Sequence, residues 1–271
     1  MQTVEAKGFS IPIIGLGTWE LRGRDCARLV EQAIRLGYRH IDTAQMYANE
    51  TEVGEGVRAS GKRAEVMVTT KVAHTMMAPQ DVERSVKESL GKLRIDEIDL
   101  LLIHWPNERI PLAETLGAMA KLKQAGYVKQ LGVSNFTVAL LDEATKVSDE
   151  PIVCNQIEYH PFLDQSKVIA ACQRHDIAVV AYSPIARGSA KGNEVLERIG
   201  KAHGKSGAQV SLRWLVQQNV VVIPRTSKLE RLEENLAIFD FRLSDAEMTE
   251  IAGLSGAAKR IVNLAWSPAW D

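Results

Sequence analysis

Eight short apolar runs, separated by amphipathic stretches, constrain the fold of this chain more than any other feature. In chain order the runs are Ile13–Leu16, His40–Asp42, Val66–Lys71, Asp99–His104, Gln130–Ser134, Cys154–Ile157, Val179–Tyr182 and Val220–Ile223. Between them, apolar residues such as Leu29, Ala33 and Ile34 recur at spacings of three and four, which is typical of helices with one buried face. Eight strands alternating with helices predict an α/β fold, a (β/α)8 TIM barrel with a parallel sheet.

The ends of the helices can also be predicted from the sequence. Asp25 and Asp81 precede two periodic stretches and are candidate N-caps, and Ser206 is a candidate N-cap further along. Two further segments fit a capping box, Ser227 with Glu230 and Ser244 with Glu247. Glycines at positions 37 and 126 stand where a left-handed C-cap is expected.

The organisation of the chain indicates one domain. Residues 3–12 contain Lys7-Gly8 between two short β-like arms, which predicts a hairpin ahead of the barrel. No Pro/Gly/Ser-rich linker or low-complexity tract follows, and a barrel of this type commonly occupies ~250 residues as a single domain. We therefore expect one domain over residues 1–271. The segments after the predicted strands, such as WPNERIPL, predict short loops around the site.

Composition argues against nucleic-acid and membrane partners. The formal net charge is −1, from 33 basic and 34 acidic residues, and no block of like charge occurs. The start MQTVEAKGFSIP lacks the basic and apolar regions of a signal peptide, and no apolar stretch reaches ~18 residues. The three cysteines are widely spaced, which favours buried, reduced thiols and a cytoplasmic location.

Two motifs resemble nucleotide-binding fingerprints without their context. Gly54-Glu-Gly56-Val-Arg-Ala59 fits G-x-G-x-x-A but follows a polar segment instead of a strand, so we expect it inside a helix. Gly204-Lys205-Ser206 imitates the end of a P-loop, but no strand precedes it. No cluster of His, Cys and carboxylate residues has the spacing of metal ligands.

Polar residues at successive strand ends predict a site for proton transfer. Asp42 and Tyr47 follow the second run, Lys71 ends the third and His104 ends the fourth, at intervals of roughly 30 residues, about one strand–helix–strand unit. Because strand C-termini converge on one face of a barrel, we expect these four side chains to meet. Each one alone could be a strand-end cap or a core residue. Together they indicate a phenol that is made a usable acid by a cation and hydrogen bonds, since tyrosine titrates near pH ~10.

The motifs at these strand ends resemble those of the aldo-keto reductase superfamily. They are, in the family's order, GLGTW, HIDTAQMYANE, TTK, IHWP, GVSNF, NQIE, AYSPI and IPRTSKLERLEEN. The resemblance covers essentially the whole chain, and the compact chain ending in WD is similar to the bacterial 2,5-diketo-D-gluconate reductase and methylglyoxal reductase branch.

This resemblance implies a catalytic tetrad and a reaction. Tyr47 would be the general acid that protonates a carbonyl oxygen while hydride arrives from a nicotinamide. Lys71 would lower the pKa of the phenol, and Asp42 would hold Lys71 charged and in place. His104, in its neutral form, would orient the carbonyl.

The resemblance also implies NADPH as the cofactor. Nicotinamide contacts would come from Ser134, Asn135 and Gln156, with Tyr182 stacked on the ring; turn chemistry and a barrel-wall aromatic are the alternatives. The full set of implied cofactor residues is Gly17, Thr18, Trp19, Asp42, Ser134, Asn135, Gln156, Tyr182, Ser183, Pro184, Arg225, Thr226, Ser227, Arg231, Glu234 and Asn235. Arg225 and Arg231 would bind the 2′-phosphate. Many members have Lys and Ser where this chain has Arg225 and Thr226, which changes the geometry but keeps the charge and the hydroxyl.

Substrate contacts are implied for Trp19, Tyr47, His104, Trp105 and Trp266. Short loops favour an open pocket for small polar carbonyls, keto-sugars and dicarbonyls, and the family-level expectation is a monomer. A non-catalytic nucleotide-binding or regulatory subunit of the same fold is the alternative, which the intact tetrad disfavours. A phosphate-binding barrel isomerase or aldolase would require a Gly-rich late loop, and IPRTSK is not one.

Overall fold

The computed structural model describes residues 2–256 and 260–271 of the chain. An antiparallel hairpin of β1 (Thr3–Ala6) and β2 (Phe9–Pro12) comes first, as expected. The barrel strands are β3 (Leu16–Gly17), β4 (His40–Asp42), β5 (Met67–Val72), β6 (Ile98–Ile103), β7 (Val128–Ser134), β8 (Ile152–Glu158), β9 (Ala178–Tyr182) and β10 (Val221–Val222).

The eight barrel strands are parallel, and each pairs with the next in chain order. Parallel bridges from Ile14 to Val222 and from Gly17 to Arg225 join the first strand region to the last and close the ring. The predicted barrel and hairpin are therefore confirmed. Strands β5 and β6 are buried along their whole lengths, because helices cover one face and the barrel interior the other.

Ten helices alternate with or follow these strands. They are α1 (Gly23–Leu36), α2 (Glu50–Ala59), α3 (Pro79–Leu93), α4 (Leu112–Gln124), α5 (Val138–Val147), α6 (Ser166–Arg174), α7 (Glu194–His203), α8 (Gly207–Gln217), α9 (Leu229–Leu236) and α10 (Asp245–Ala252) within the described residues. None of the helices in this part of the chain is long and apolar enough to cross a membrane.

The predicted helix ends are partly confirmed. Ser206 and Ser244 each form a complete capping box, and Gly37 adopts the left-handed conformation that ends α1. The N-cap predictions for Asp25 and Asp81 are wrong.

Both aspartates lie inside the first helical turn, where a negative charge still interacts favourably with the helix dipole. In α3 the helix begins earlier in the chain than predicted because Pro79, with its fixed φ, suits the first helical position. The capping box predicted at Ser227 is also wrong, because α9 begins one residue later, after Lys228.

Candidate active site

A buried ion pair lies at the C-terminal end of the barrel. Lys71, in β5, donates from Nζ to Asp42 Oδ1 at 2.6 Å and to the Thr43 carbonyl at 2.8 Å, and both Lys71 and Asp42 are almost fully buried. The other carboxylate oxygen, Asp42 Oδ2, accepts a hydrogen bond of 2.7 Å from Gln156. Burial lowers the pKa of Lys71, and the adjacent Asp42 carboxylate opposes that shift. Such extensive hydrogen bonding is what a buried pair requires to offset its desolvation.

Tyr47 places its hydroxyl beside this pair. Lys71 Nζ lies 3.4 Å from the Tyr47 hydroxyl and 4.9 Å from the centre of its ring. The short 3₁₀ turn Gln45–Tyr47 carries the tyrosine. That turn is fixed from both sides, because Gln45 accepts a hydrogen bond from the Ala73 N–H and Arg22 donates to the Tyr47 carbonyl.

The pKa of the Tyr47 phenol is raised overall in this structure, and the lowering expected from Lys71 alone stays a prediction. Burial, followed by the negative charge of Asp42, raises the pKa of Tyr47 well above its ordinary value. The Lys71 ammonium already donates hydrogen bonds to a carboxylate and a carbonyl, and these groups compensate most of the effect of its charge on the pKa of the phenol. Tyr47 therefore keeps its proton at neutral pH.

His104 is the fourth member of the cluster. Its ring lies 5.5 Å from that of Tyr47, centre to centre, in an edge-on arrangement. The buried Nδ1 atom has no hydrogen-bond partner among the described residues. Burial, with smaller contributions from Lys71 and His74, lowers the pKa of His104 well below its ordinary value, so the imidazole is neutral near pH 7.

A cavity of about 630 Å³ opens above this cluster, which is in the size range of small-molecule sites. Asp42, Tyr47 and His104 line it, whereas Lys71 lies below them. Of the residues that the sequence assigned to the cofactor, eleven line the same cavity: Gly17, Thr18, Trp19, Asp42, Ser134, Asn135, Gln156, Tyr182, Ser183, Pro184 and Arg225. Residues from seven different strand ends are thus brought together at one face.

One wall of the cavity is a connected hydrogen-bond network. The Tyr182 hydroxyl donates to Asn135 Oδ1 at 2.8 Å, and Asn135 Nδ2 contacts Ser134 Oγ at 3.1 Å. Ser134 Oγ in turn donates to the Gln156 carbonyl at 2.8 Å. Asn135 has a left-handed backbone, with φ of 63°, which turns its side chain back toward the strand ends.

The residues expected at the 2′-phosphate and adenosine lie to one side of this cavity. Arg225 is exposed, and its Nε donates to the Trp19 carbonyl at 3.1 Å. Thr226 is buried and accepts from the Lys228 N–H at 3.0 Å, whereas Ser227 is exposed.

In α9, Arg231 forms an ion pair of 2.6 Å with Glu234, and both side chains are about one-third exposed, at 34% and 35%. Asn235 is buried on the same helix. These three residues of α9 do not line the cavity itself, and neither do Thr226 and Ser227.

The three tryptophans expected at the substrate lie in different places. Trp19 and Trp105 line the cavity, Trp19 being 39% exposed and Trp105 buried. Trp266 does not line it and instead stacks on His74, with ring centres 4.4 Å apart.

Several cavity residues were missed by the sequence analysis. Arg187, in the loop after β9, lines the cavity and lies with its guanidinium 4.6 Å from the centre of the Trp19 ring. Val262 and Leu264, near the C-terminus, form an apolar part of the wall. A cation close after the AYSPI motif could have indicated Arg187, but no local pattern distinguishes Val262 and Leu264 from other tail residues.

The donor set fits a nicotinamide dinucleotide better than a metal ion. Amide, hydroxyl and aromatic groups are present along one wall, and two guanidinium groups, those of Arg187 and Arg225, lie at the Trp19 side, where an anionic group could be held. No group of three or more His, Cys, Asp or Glu side chains in residues 2–256 and 260–271 is arranged to hold a metal. A barrel with a buried acid–base cluster beneath such a cavity belongs to the class of carbonyl oxidoreductases.

Comparison with known proteins agrees with this class. The profile of the aldo/keto reductase family matches residues 13–255. The chain is 38% identical over 266 residues to methylglyoxal reductase DkgB of Escherichia coli O157:H7, which covers 97% of this chain and 100% of that protein. It is 40% identical over 250 residues to glyoxal reductase of Bacillus subtilis (strain 168), covering 92% and 90%.

Solved structures give the same result. A crystal structure of a protein provisionally described as 2,5-diketo-D-gluconic acid reductase B has a TM-score of 0.98 and 45% identity, covering 100% of this chain and 98% of that one. The aldose reductase of Schistosoma japonicum has a TM-score of 0.93 and 32% identity, covering 98% and 96%. The chain belongs to the aldo/keto reductase family, so the resemblance drawn from the motifs is confirmed.

Proposed function

We propose that this protein reduces aldehydes or ketones to alcohols with NADPH as the hydride donor and Tyr47 as the general acid. The whole chain, residues 1–271, would act as one catalytic domain. The preferred substrates would be small polar carbonyls, dicarbonyls or keto-sugars. Relatives described as methylglyoxal and glyoxal reductases support this substrate class.

One observation carries the proposal more than any other. The Tyr47 hydroxyl lies between the Lys71 ammonium, at 3.4 Å, and the open cavity, and it keeps its proton at neutral pH. A group placed this way can donate a proton to a carbonyl oxygen in the cavity. The negative charge that then develops on the phenol oxygen lies beside a cation fixed by Asp42.

The side chains divide the work of the reduction. The nicotinamide supplies hydride to the carbonyl carbon when it is bound. Tyr47 transfers its hydroxyl proton to the carbonyl oxygen, which becomes the alcohol hydroxyl, and the resulting phenolate regains a proton from solvent. Lys71 stabilises the phenolate more strongly than the neutral phenol, and such differential stabilisation lowers the barrier. Neutral His104 donates a hydrogen bond that orients the carbonyl.

NADPH is proposed over NADH because of the basic residues around α9. Arg225 is exposed, and Arg231 is held only by a partly exposed ion pair with Glu234. Exposed pairs of this kind contribute only about 0–1 kcal/mol, so Arg231 can exchange its partner for a phosphate at little cost. The dianionic 2′-phosphate distinguishes the two cofactors, and arginine binds phosphate through two parallel hydrogen bonds.

We also propose that the protein is cytoplasmic and monomeric. Cys26, Cys154 and Cys172 are all buried thiols, which is consistent with the cytoplasm. A monomer is the family-level expectation, and sedimentation velocity at two protein concentrations would test it.

The function is tested by mixing purified protein with NADPH and a panel of aldehydes, dicarbonyls and keto-sugars, and following absorbance of the reduced nicotinamide. We expect oxidation of NADPH that depends on the carbonyl, and slower oxidation of NADH. NADPH that binds without turnover on any carbonyl would favour a non-catalytic nucleotide-binding subunit. An absence of NADPH binding would contradict the proposal as a whole.

A further inference from the structure

Glu158 is a buried carboxylate with no role in the proposed chemistry. It ends β8 and is fully buried. A buried carboxylate requires several donors to offset the loss of water, and these donors show what the side chain holds in place. Glu158 Oε1 accepts from the Ile261 N–H and Oε2 from the Val262 N–H, each at 2.7 Å.

A third donor comes from His160, whose Nε2 lies 3.2 Å from Glu158 Oε1. The Phe162 N–H points to Nδ1 of the same ring, so Nδ1 accepts and Nε2 carries the hydrogen that Glu158 receives. Burial raises the pKa of Glu158, but the hydrogen bonds from His160 and the two backbone N–H groups reverse that effect and leave its pKa below the ordinary value. Glu158 is therefore an anion held by three donors, two of which belong to the C-terminal tail.

The tail, residues 260–271, lies against the barrel through a few other contacts. Trp266 stacks on His74 with ring centres 4.4 Å apart, and Trp270 meets Trp105 edge-on at 6.2 Å. Asp271 Oδ2 accepts from the Val138 N–H at 3.0 Å. All three contacts involve tail side chains, whereas Glu158 is the one barrel side chain among the described residues that accepts hydrogen bonds from the tail backbone.

The backbone contact matters because the residues next to it form part of the cavity. Val262 and Leu264 line the same cavity as Tyr47 and His104. Val262 donates its own N–H to Glu158, and Leu264 follows two residues later. If the tail left Glu158, both apolar side chains would leave the wall while Tyr47, Lys71 and His104 kept their places.

We propose that Glu158 is a positioning residue that fastens the C-terminal tail by its backbone, so that Val262 and Leu264 form an apolar wall of the cavity that also binds the chain of carbonyl compounds longer than the small polar ones. This inference rests on the proposed carbonyl reduction. Aldehydes too short to reach the wall gain nothing from the contact. Longer aldehydes bury apolar surface against it, which strengthens binding about fourfold for each methylene that is fully buried.

The test uses full-length Glu158→Gln, which keeps the size of the side chain but replaces one accepting oxygen by a donor. Ile261→Pro removes one tail N–H without altering the barrel, and it decides the question if Glu158→Gln fails to fold. Ala265→Pro is the matched control. Ala265 is the second residue of the Leu264–Ser267 turn, a position that suits proline, and its N–H donates no hydrogen bond within the described residues.

Two readouts are taken on each variant. The first is the rate at which trypsin cuts after Lys259 and releases the peptide that ends at Asp271, measured by mass spectrometry without cofactor or substrate. Cleavage after Arg260 is not counted, because a proline at position 261 blocks it in Ile261→Pro. The second is the KM for acetaldehyde and for hexanal at saturating NADPH. We expect faster release and a roughly tenfold higher KM for hexanal in Glu158→Gln and Ile261→Pro, the factor for about two methylenes that are no longer buried. The KM for acetaldehyde should change less than about twofold, and the double variant should resemble the single variants.

Unchanged release in both variants overturns the proposal, as does an equal rise of KM for both aldehydes or an additive double variant. An effect of Ala265→Pro as large as that of Ile261→Pro also overturns it. A wild-type protein that reduces neither aldehyde refutes the proposed function instead, and the trypsin readout then still decides whether Glu158 holds the tail.

Discussion

At Tyr47, burial and the charges of Asp42 and Lys71 together decide where the proton lies. Lys71 lies 3.4 Å from the hydroxyl, but Asp42 is bonded to Lys71 at 2.6 Å and opposes its field. Burial adds a further penalty for the phenolate. Tyr47 is therefore a stable acid in the free protein, and the contribution of Lys71 is greatest when charge develops during proton transfer.

Replacement of Tyr47 by Phe tests this assignment. The variant lacks the donated proton but keeps the ring that packs near Lys71 and His104. We expect kcat to fall by ~10²-fold or more, because that is the usual contribution of a general acid, while NADPH affinity stays nearly unchanged. Near-normal turnover measured by NADPH oxidation would contradict the role of Tyr47.

Asp42 and Lys71 should behave as one unit. Asp42→Asn removes the charge that holds Lys71, and Lys71→Met removes the cation itself. Since both changes disable the same stabilisation of the phenolate, the double variant should lose far less activity than the product of the two single losses. Fully additive losses in kcat/KM would mean that Asp42 serves only to end its strand.

The pH dependence of reduction should follow Lys71 and not Tyr47. Burial lowers the pKa of Lys71, whereas burial and Asp42 raise that of Tyr47, so Lys71 loses its proton first as pH rises. We expect kcat/KM to be level at neutral pH and to fall on the alkaline side. In Lys71→Met, the remaining kcat/KM should not fall on the alkaline side. If kcat/KM still falls there, the titrating group is Tyr47 and not Lys71.

At the scale of elements, α2 explains the motif that imitated a dinucleotide fingerprint. Gly54 and Gly56 lie inside this helix, as expected, and both face close neighbours. A Cβ atom on Gly54 would lie 2.2 Å from the Leu93 carbonyl oxygen at the end of α3, and one on Gly56 would lie 2.4 Å from the Ala27 carbonyl oxygen in α1. The two glycines allow three neighbouring helices to pack closely and have no contact with the cavity.

Gly54→Ala should therefore destabilise the protein without impairing its site. Overpacking against backbone cannot be relieved by a side-chain rotation, and we expect a loss of ~1–3 kcal/mol in the free energy of unfolding by urea denaturation. Gly91→Ala is the control. Gly91 lies in α3, the helix whose last residue faces Gly54, and no atom is near its Cβ position. Alanine at position 91 should therefore raise the free energy of unfolding by ~0.5–1 kcal/mol. A Gly54→Ala variant as stable as wild type would mean that α2 and α3 can move apart freely.

At the scale of the whole molecule, the sequence predicts the features that repeat along the chain. It does not predict the features that depend on contacts between residues far apart in the sequence. The periodic strands predict the barrel, and the convergence of strand ends predicts that Asp42, Tyr47 and His104 meet in one cavity. The pKa of Tyr47 could not be predicted, since it depends on distances of a few tenths of an ångström. The contact of Glu158 with Ile261 spans more than a third of the chain and has no local signature.

Cofactor choice can be measured through the stability of the whole protein. A ligand at 100 times its Kd that binds only the folded state raises the free energy of unfolding by about 2.7 kcal/mol. Arg231→Ala removes the proposed charge-assisted contact with the 2′-phosphate and should weaken NADPH binding by ~10–150-fold. At the same NADPH concentration the stabilisation should then fall to about 0.3–1.4 kcal/mol, while that by NADH stays unchanged.

The control for this measurement is Arg35→Ala, which breaks a comparable surface ion pair with Glu31 in α1, away from the cavity. It should leave the effect of both cofactors intact. Higher salt should also reduce the difference between NADPH and NADH in the wild type but not in Arg231→Ala, because salt screens an exposed phosphate–guanidinium contact. Equal losses for NADPH and NADH would mean that Arg231 supports α9 or the shared adenosine, and the preference for NADPH would then have to come from Arg225.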